Sequence, residues 1–231
     1  MYKIIEQIIE KINSRYHQKK IFNYLNKLNI RVTFDIGAHK GEFIDSILRL
    51  KNLKKIHAFE PQVEIFKKLK LSYSKNNKII LNNFALGNKQ SKEILNINKL
   101  TSASSLKKFN NKSLWYNFRN LVIFEKNSVI AKNYVFVKKL DNYCSKNNIH
   151  FIDLLKIDVE GYELEVLKGS TKILKKTKYL LIEITRTKTY KNYDISLIEK
   201  FLKKNNFTML QKFIFPLRNF EDRIYINLNQ N

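Results

Sequence analysis

The first segment that could carry chemistry is residues 35–41, with the sequence DIGAHKG, which follows an apolar stretch. Asp35 ends the predicted strand, Gly37 permits a tight turn with close approach to a ligand, and Gly41 lets the next helix pack tightly. The spacing is not the Gly-x-Gly-x-x-Gly of nicotinamide enzymes, and the Gly-Lys-Ser/Thr ending of a phosphate-binding loop is absent. A carboxylate here would also repel a phosphate. The pattern favours a cationic ligand, such as the amino or sulfonium group of S-adenosylmethionine.

A second carboxylate, Glu60, ends the next predicted strand and precedes Pro61. It can accept hydrogen bonds from two ribose hydroxyls, and it lies about 20 residues beyond the glycine turn, as one strand–helix–strand step requires. A helix-start acid favoured by the helix dipole is the alternative. After the third predicted strand, Ala85 lies in the sequence NFALG, where small and apolar residues can form one wall of an adenine slot.

The third carboxylate segment is residues 155–163, LKIDVEGYE, where a buried strand ends at Asp158 and Glu160 follows before a helix. Ligands of open α/β sheets bind outside the carboxyl ends of the strands. We therefore expect Asp35, Glu60, Asp158 and Glu160 to face one crevice. Helix N-terminal acids are the alternative for the last two, and they explain only part of the pattern.

These residues must be positioned by alternating strands and helices. The apolar pattern predicts strands at 31–36, 54–59, 78–84, 151–157, 179–184, 207–215 and 223–228, and helices at 41–50, from Pro61 onwards and at 197–204. The alternation predicts an α/β fold: a mostly parallel, doubly wound, seven-stranded sheet with helices on both faces. The last two strands have no clear helix between them and should form an antiparallel hairpin at one edge.

Two further regions flank or interrupt this alternation. Residues 92–140 contain a Ser- and Asn-rich loop and an extra strand at 129–140, and they are expected to wall a substrate pocket. Residues 2–29 have helical spacing of apolar side chains and predict an N-terminal cap, with a substrate lid or a dimer contact as alternatives. We therefore predict a helical cap at 1–30 and one globular domain at 31–231.

Several segments together resemble the FkbM-type methyltransferase family. They are DIGAHKGEF, HAFEP, NNFALG, SSL and LLKIDVEGYELEVLKGS, spread over roughly residues 31–185, and the KIDVEGYE stretch is the most specific. The resemblance implies a Rossmann-like class I methyltransferase sheet, S-adenosylmethionine as the donor, and usually O-methylation of a sugar, glycan or polyketide-like metabolite. Where the family often has Asn, this chain has His39, which can donate to the donor's carboxylate as Asn would, or titrate and act in catalysis.

The sequence therefore predicts a methyltransferase that acts on a hydroxyl of a small-molecule or glycan acceptor. The enzyme must align oxygen, methyl carbon and sulfur, and a positioned base must take the hydroxyl proton. We predict Asp158 near the transferring methyl group, with Glu160 or Lys156 orienting or deprotonating the acceptor; strand alternation leaves the direction of Lys156 open. The predicted donor-binding residues are Asp35, Gly37, His39, Gly41, Glu60, Ala85 and Asp158.

No metal is expected, because no His or Cys ligand spacing is present. A hard cation held by Asp158 and Glu160 is the alternative.

The net charge of +24 leaves a second function open. Lysine is spread along the whole chain, which favours compositional drift, but weak, salt-sensitive binding to anions is expected either way, with nucleic acid as one candidate partner. An RNA-directed methyltransferase is one alternative, although the Asn/Asp-Pro-Pro-Tyr/Phe motif of amino-methylating enzymes is absent. A non-catalytic Rossmann-like binding module is the other.

The single cysteine, Cys144, excludes an intrachain disulfide and fits a reducing compartment. It is expected to be a small buried helix residue. The N-terminal sequence mixes Glu and Lys with its apolar residues, so neither a signal peptide nor a transmembrane segment is predicted. The expected location is the cytoplasm.

Overall fold

The computed structural model describes residues 16–98, 102, 104–108, 110, 129–187, 189–214 and 220–230. The strands are β1 (Val32–Ile36), β2 (Lys55–Phe59), β3 (Ile79–Asn82), β4 (Ala85–Leu86), β5 (Ser91–Asn98), β6 (Val129–Lys138), β7 (Ile152–Ile157), β8 (Thr177–Thr185), β9 (Phe207–Ile214) and β10 (Phe220–Asn227). The helices are α1 (residues 16–25), α2 (Glu42–Ile47), α3 (Val63–Tyr73), α4 (Leu140–Lys146), α5 (Glu163–Lys168), α6 (Thr171–Leu174) and α7 (Ile195–Lys204).

The central sheet has seven strands in the order β3-β2-β1-β7-β8-β10-β9. Strands β3, β2, β1, β7 and β8 run parallel, and β10 pairs antiparallel with both β8 and β9. Every residue of β7 is buried, as expected for a parallel strand covered on both faces. The predicted seven-stranded, mostly parallel sheet with an antiparallel hairpin at one edge is therefore confirmed.

Helices cover both faces of this sheet. On one face, α4, α5, α6 and α7 pack against side chains that include Phe34, Leu155 and Ile182. On the other face, α1, α2 and α3 pack against Ile56 and Leu181. The described part of the N-terminal helix therefore packs on the core, whereas residues 1–15 of the predicted cap lie outside the described residues.

A second sheet, in the order β4-β6-β5, includes the described residues at both ends of the predicted insertion. Strand β6 confirms the extra strand expected at 129–140. No strand was predicted at residues 92–98, which belong to β5 and pair antiparallel with β6. Polar and charged residues dominate β5, so the pairing with β6 outweighs its weak local preference for a strand.

Some predicted helix boundaries also need correction. Pro61 does not open the third helix, because α3 begins at Val63 after Gln62 in an extended conformation. Helix α2 covers only Glu42–Ile47 of the predicted 41–50. Cys144 lies buried in α4, as predicted.

The buried parallel strands should dominate stability. Leu155 in β7 is fully buried, so Leu155→Ala leaves a cavity and should lower the free energy of unfolding by about 2–5 kcal/mol. Leu71 in α3 is 79% exposed, and Leu71→Ala should change it by no more than about 0.5 kcal/mol. Urea unfolding of both variants measures the difference. Equal losses in the two variants would contradict the placement of β7 in the core.

Candidate active site

A cleft of about 490 Å³ opens at the carboxyl ends of the parallel strands. It lies where the strand order reverses between β1 and β7, the position at which open α/β sheets bind ligands. Seven of the residues predicted from sequence line it: Gly37, His39, Glu60, Ala85, Lys156, Asp158 and Glu160. Asp35 and Gly41 are not among the lining residues, so the expectation that Asp35 faces the crevice is corrected.

The turn after β1 is built on left-handed backbone conformations. Gly37 has φ 86° and Gly41 has φ 90°, and His39 adopts φ 45° between them. A Cβ atom on Gly37 would overlap the carbonyl oxygen of Asp158, and one on Gly41 would overlap the ring of Tyr73. Both glycines are therefore required by close contacts within the protein as well as by their φ angles.

Glu60 ties this turn to the start of α3. Its Oε2 accepts a hydrogen bond from the backbone N–H of His39 at 2.9 Å, and its Oε1 accepts one from the N–H of Gln62 at 2.7 Å. Burial raises the pKa of Glu60 to about 7, although both hydrogen bonds oppose the shift. Each oxygen keeps further acceptor capacity for a ligand in the cleft.

Lys156 connects two carboxylates. Its Nζ lies 3.1 Å from Oδ1 of the fully buried Asp35 and 3.1 Å from Oδ2 of Asp158. Burial alone would lower the pKa of Lys156, but the charges of Asp158 and Asp35 raise it above the ordinary value. Lys156 therefore stays an ammonium at neutral pH, and it links the buried Asp35 to the lining of the cleft.

Three carboxyl groups meet at one end of the cleft. The ligand oxygens of Asp158, Glu160 and Glu183 all lie within 4.8 Å of one another. The hydroxyl of Tyr190 donates to Oε2 of Glu160, and the hydroxyl of Ser105 donates to the backbone oxygen of Glu160. Burial raises the pKa of Glu183, and the charges of Asp158 and Glu160 raise it further. Such a cluster can accept hydrogen bonds from hydroxyls, or it can hold a divalent cation.

Sequence reasoning missed Glu183 and assigned no role to Glu163. A single charged residue within the apolar run of β8 was the available signal for Glu183. Glu163 is buried, and its Oε1 accepts from the N–H groups of Gly161 at 2.9 Å and Val159 at 3.3 Å. Its Oε2 has no hydrogen-bond partner among the described residues, and burial raises its pKa to about 8. Glu163 therefore stabilises the turn after β7 from beneath the cleft.

The His39 side chain has a partner beside the cleft. Its Nδ1 lies 3.4 Å from Oε1 of Glu42 in the first turn of α2. Burial would raise the pKa of Glu42, but His39 and Lys40 lower it overall. His39 therefore combines a backbone donor to Glu60 with a ring next to a carboxylate.

The cleft suits a ligand that combines a cationic centre with a flat ring. Glu60, Asp158 and Glu160 line it with only Lys156 and Lys40 as opposing charges among its lining residues. Phe84, Ala85 and Leu86 supply an apolar wall on the side of β4. These two kinds of surface fit S-adenosylmethionine, because carboxyl groups suit its sulfonium and ribose and an apolar wall suits its adenine.

The sheet order and the position of the cleft define the Rossmann-like fold of class I methyltransferases. Residues 35–209 match the model of the methyltransferase FkbM domain, and the chain belongs to that family. The resemblance predicted from the motifs is therefore confirmed. The chain therefore contains a methyltransferase domain of a family that uses S-adenosylmethionine as the methyl donor. The family match supports the expectation of a methyltransferase.

Relatives and solved structures add context. The chain is 34% identical over 56 residues to the 2-O-methyltransferase NoeI of Sinorhizobium fredii (strain NBRC 101917 / NGR234), a match that covers 24% of this chain and 23% of that protein. It is similar to the FkbM methyltransferase of Methylobacillus flagellatus KT, with TM-score 0.54, 15% identity and coverage of 86% of this chain and 44% of that one. The N-methyltransferase NodS of Bradyrhizobium japonicum WM9 has TM-score 0.54 at 9% identity, covering 93% of this chain and 96% of its own.

These likenesses to solved structures establish the fold alone. The chain spans about a quarter of the length of the curated relative and less than half of the FkbM structure. No helix within the described ranges is long and apolar enough to cross a membrane.

The buried carboxyl of Glu163 predicts a pH-dependent stability. Its folded pKa of about 8 exceeds the ordinary 4.5, so the unfolded chain loses the proton first as pH rises. As pH rises from about 4.5 to about 8, the free energy of unfolding should fall by a few kcal/mol. Above about pH 8, Glu163 should cause no further change. Glu163→Gln keeps an oxygen for both backbone donors and removes the titration. The variant should therefore gain stability over the wild type as pH rises.

Urea unfolding at about pH 5, about pH 7 and about pH 9 measures this difference. Glu64→Gln is the control, because Glu64 is an exposed acid in α3. If the difference in stability between Glu163→Gln and the wild type does not change with pH, Glu163 is not a buried carboxyl group with a raised pKa.

Proposed function

We propose that the chain transfers a methyl group to a hydroxyl oxygen of a sugar, a glycan or a secondary metabolite. The observation that carries this proposal is the carboxyl cluster of Asp158, Glu160 and Glu183 beside Lys156 in the cleft. A hydroxyl is a weak nucleophile until its proton is accepted, and carboxylates in a partly buried cleft supply both the acceptor and the orientation. The similarity to NoeI, a 2-O-methyltransferase, supports oxygen as the acceptor atom.

At the donor end, Glu60 is proposed to bind the ribose hydroxyls with its remaining acceptor sites. The backbone around Gly37 and His39 lines the methionine end, and Gly41 lets α2 pack close to the turn. Ala85 borders the adenine. The bound donor supplies an electrophilic methyl group on a sulfonium centre.

At the acceptor end, Glu160 is the proposed base. The hydroxyl of Tyr190 fixes Glu160, and the acceptor proton passes to its carboxylate. Lys156 is held as an ammonium by Asp35 and Asp158, so we assign it to orienting Asp158 and not to removing a proton. Asp158 then lies where it can align the acceptor oxygen with the methyl carbon.

A resident metal is not required by this proposal. The ammonium of Lys156 already lies against Oδ2 of Asp158 and balances part of the carboxylate charge that a divalent cation would neutralise. We also propose a cytoplasmic location, supported by the single free cysteine, Cys144.

A transfer assay tests the acceptor class. Purified chain with methyl-labelled donor is offered neutral oligosaccharides, nucleotide sugars and single-stranded RNA in separate reactions. We expect label in a saccharide pool, and at least a hundredfold loss of turnover in Glu160→Gln if Glu160 is the base. Glu165→Gln is the matched control, because Glu165 lies on α5 and does not line the cleft.

Label found in RNA alone would replace this proposal with the RNA-directed alternative, which is consistent with the net charge of +24. Turnover should be unchanged in a chelator. Activity lost in chelator and restored by Mg²⁺ would instead make the carboxyl cluster a metal site.

Donor binding is tested without any acceptor. Glu60→Ala and Asp158→Ala should each weaken S-adenosylmethionine binding at least tenfold, because each removes a hydrogen-bonding carboxyl group from the cleft. Calorimetry on the purified chain measures the affinities, with Glu64→Ala as an exposed control on α3. Melting curves identify any variant that fails to fold. Unchanged affinity in both cleft variants would contradict the placement of the donor.

A further inference from the structure

The outer face of the small sheet exposes large apolar side chains. In the pairing of β5 with β6, Ile94 lies opposite Tyr134 and Lys92 lies opposite Phe136, so these four side chains share one face. Ile94 is 43% exposed, Tyr134 67% and Phe136 64%. Ile130, in the irregular end of the pair, is 62% exposed. Clustered side chains of this size on a surface usually mark a binding face.

The same face is positively charged. Lys132 lies opposite Asn96 on it, and the ammonium of Lys92 lies 4.9 Å from the centroid of the Tyr134 ring. The described acid of β5, Glu93, is on the other face and pairs with Lys89 at 3.2 Å. The outer face of β5 and β6 therefore presents lysines and apolar groups with no carboxylate between them.

The inner face of this sheet borders the cleft. Ala85 and Leu95 pack with Val135 and Val137 in a small apolar core, and Ala85 and Leu95 also line the cleft. Whatever binds the outer face is therefore separated from the cleft by the thickness of one sheet layer, on the order of 10 Å.

We propose that this outer face docks the enzyme on a bilayer rich in anionic lipid. Aromatic side chains settle at the headgroup level, isoleucines reach the acyl boundary, and lysines contact anionic headgroups. The alternative, a single-stranded nucleic acid, would use aromatic rings as stacking platforms. Two of the four exposed apolar residues are isoleucines, which offer no ring, and the ammonium of Lys92 occupies one face of Tyr134. This docking does not depend on the identity of the methyl acceptor.

Vesicle sedimentation with the full chain tests the proposal. Wild-type protein should bind vesicles of phosphatidylcholine with phosphatidylglycerol, bind phosphatidylcholine alone at least tenfold more weakly, and be released by high salt. The double variant Tyr134→Ser/Phe136→Ser removes two exposed rings and should bind the mixed vesicles at least tenfold more weakly. Circular dichroism melting confirms that it remains folded.

A pair of charge reversals separates this face from the general charge of the chain. Lys92→Glu/Lys132→Glu and Lys175→Glu/Lys176→Glu lower the net charge equally, and all four side chains are exposed. Lys175 and Lys176 precede β8, at the end of the sheet opposite the cleft. The first pair should weaken binding at least tenfold and the second less than threefold.

Three outcomes would overturn the proposal. Equal losses in the two lysine pairs would show binding by net charge alone. A single-stranded RNA oligonucleotide that binds through Tyr134 and Phe136 while vesicles do not would assign the face to nucleic acid. A wild-type dimer that becomes a monomer in the aromatic variant would assign it to a second copy of the chain.

Discussion

The arrangement of the cleft depends on one buried ammonium group between two carboxylates. Lys156 in β7 is the direct cross-strand partner of Asp35 in β1, and its Nζ reaches Asp158 just beyond the strand end. A buried lysine is costly unless it is paired, and a buried aspartate is costly for the same reason. Each of the three groups therefore offsets the cost of burying the others. Together they link β1 and β7 at the point where the strand order reverses. The turns above them interlock as well, because the N–H of Asp158 donates to the backbone oxygen of Ile36 at 3.0 Å.

The sheet and the main residues of the cleft could be predicted because they follow local rules. The strands are apolar runs, and the glycines after β1 occupy backbone conformations that only glycine adopts easily. The direction of Lys156 could not be predicted, because a strand buried on both faces gives no alternation from which to infer it. The burial of Asp35 behind the cleft could not be predicted either. The sequence places a carboxylate at the end of a strand, but tertiary contacts determine whether that carboxylate is buried.

The elements that sequence missed are held by tertiary contacts. Strand β5 is polar along much of its length and exists through its pairing with β6. Glu183 comes from β8 and joins Asp158 and Glu160 only because parallel strands end at a common edge. Gln18 reaches the cleft from α1, a helix more than a hundred residues away in sequence from Asp158. The cleft residues contributed by β8 and α1 are therefore the ones least predictable from sequence.

The imbalance of charge in the cleft has a consequence for turnover. Carboxyl groups outnumber the basic side chains around it, and Lys156 is already engaged by two of them. A surface of this kind attracts a positively charged ligand and loses that attraction when the ligand becomes neutral. Methyl transfer turns a sulfonium into an uncharged thioether, so the proposed reaction itself weakens the binding of the demethylated donor. Dissociation of this product is thus favoured without a separate conformational change.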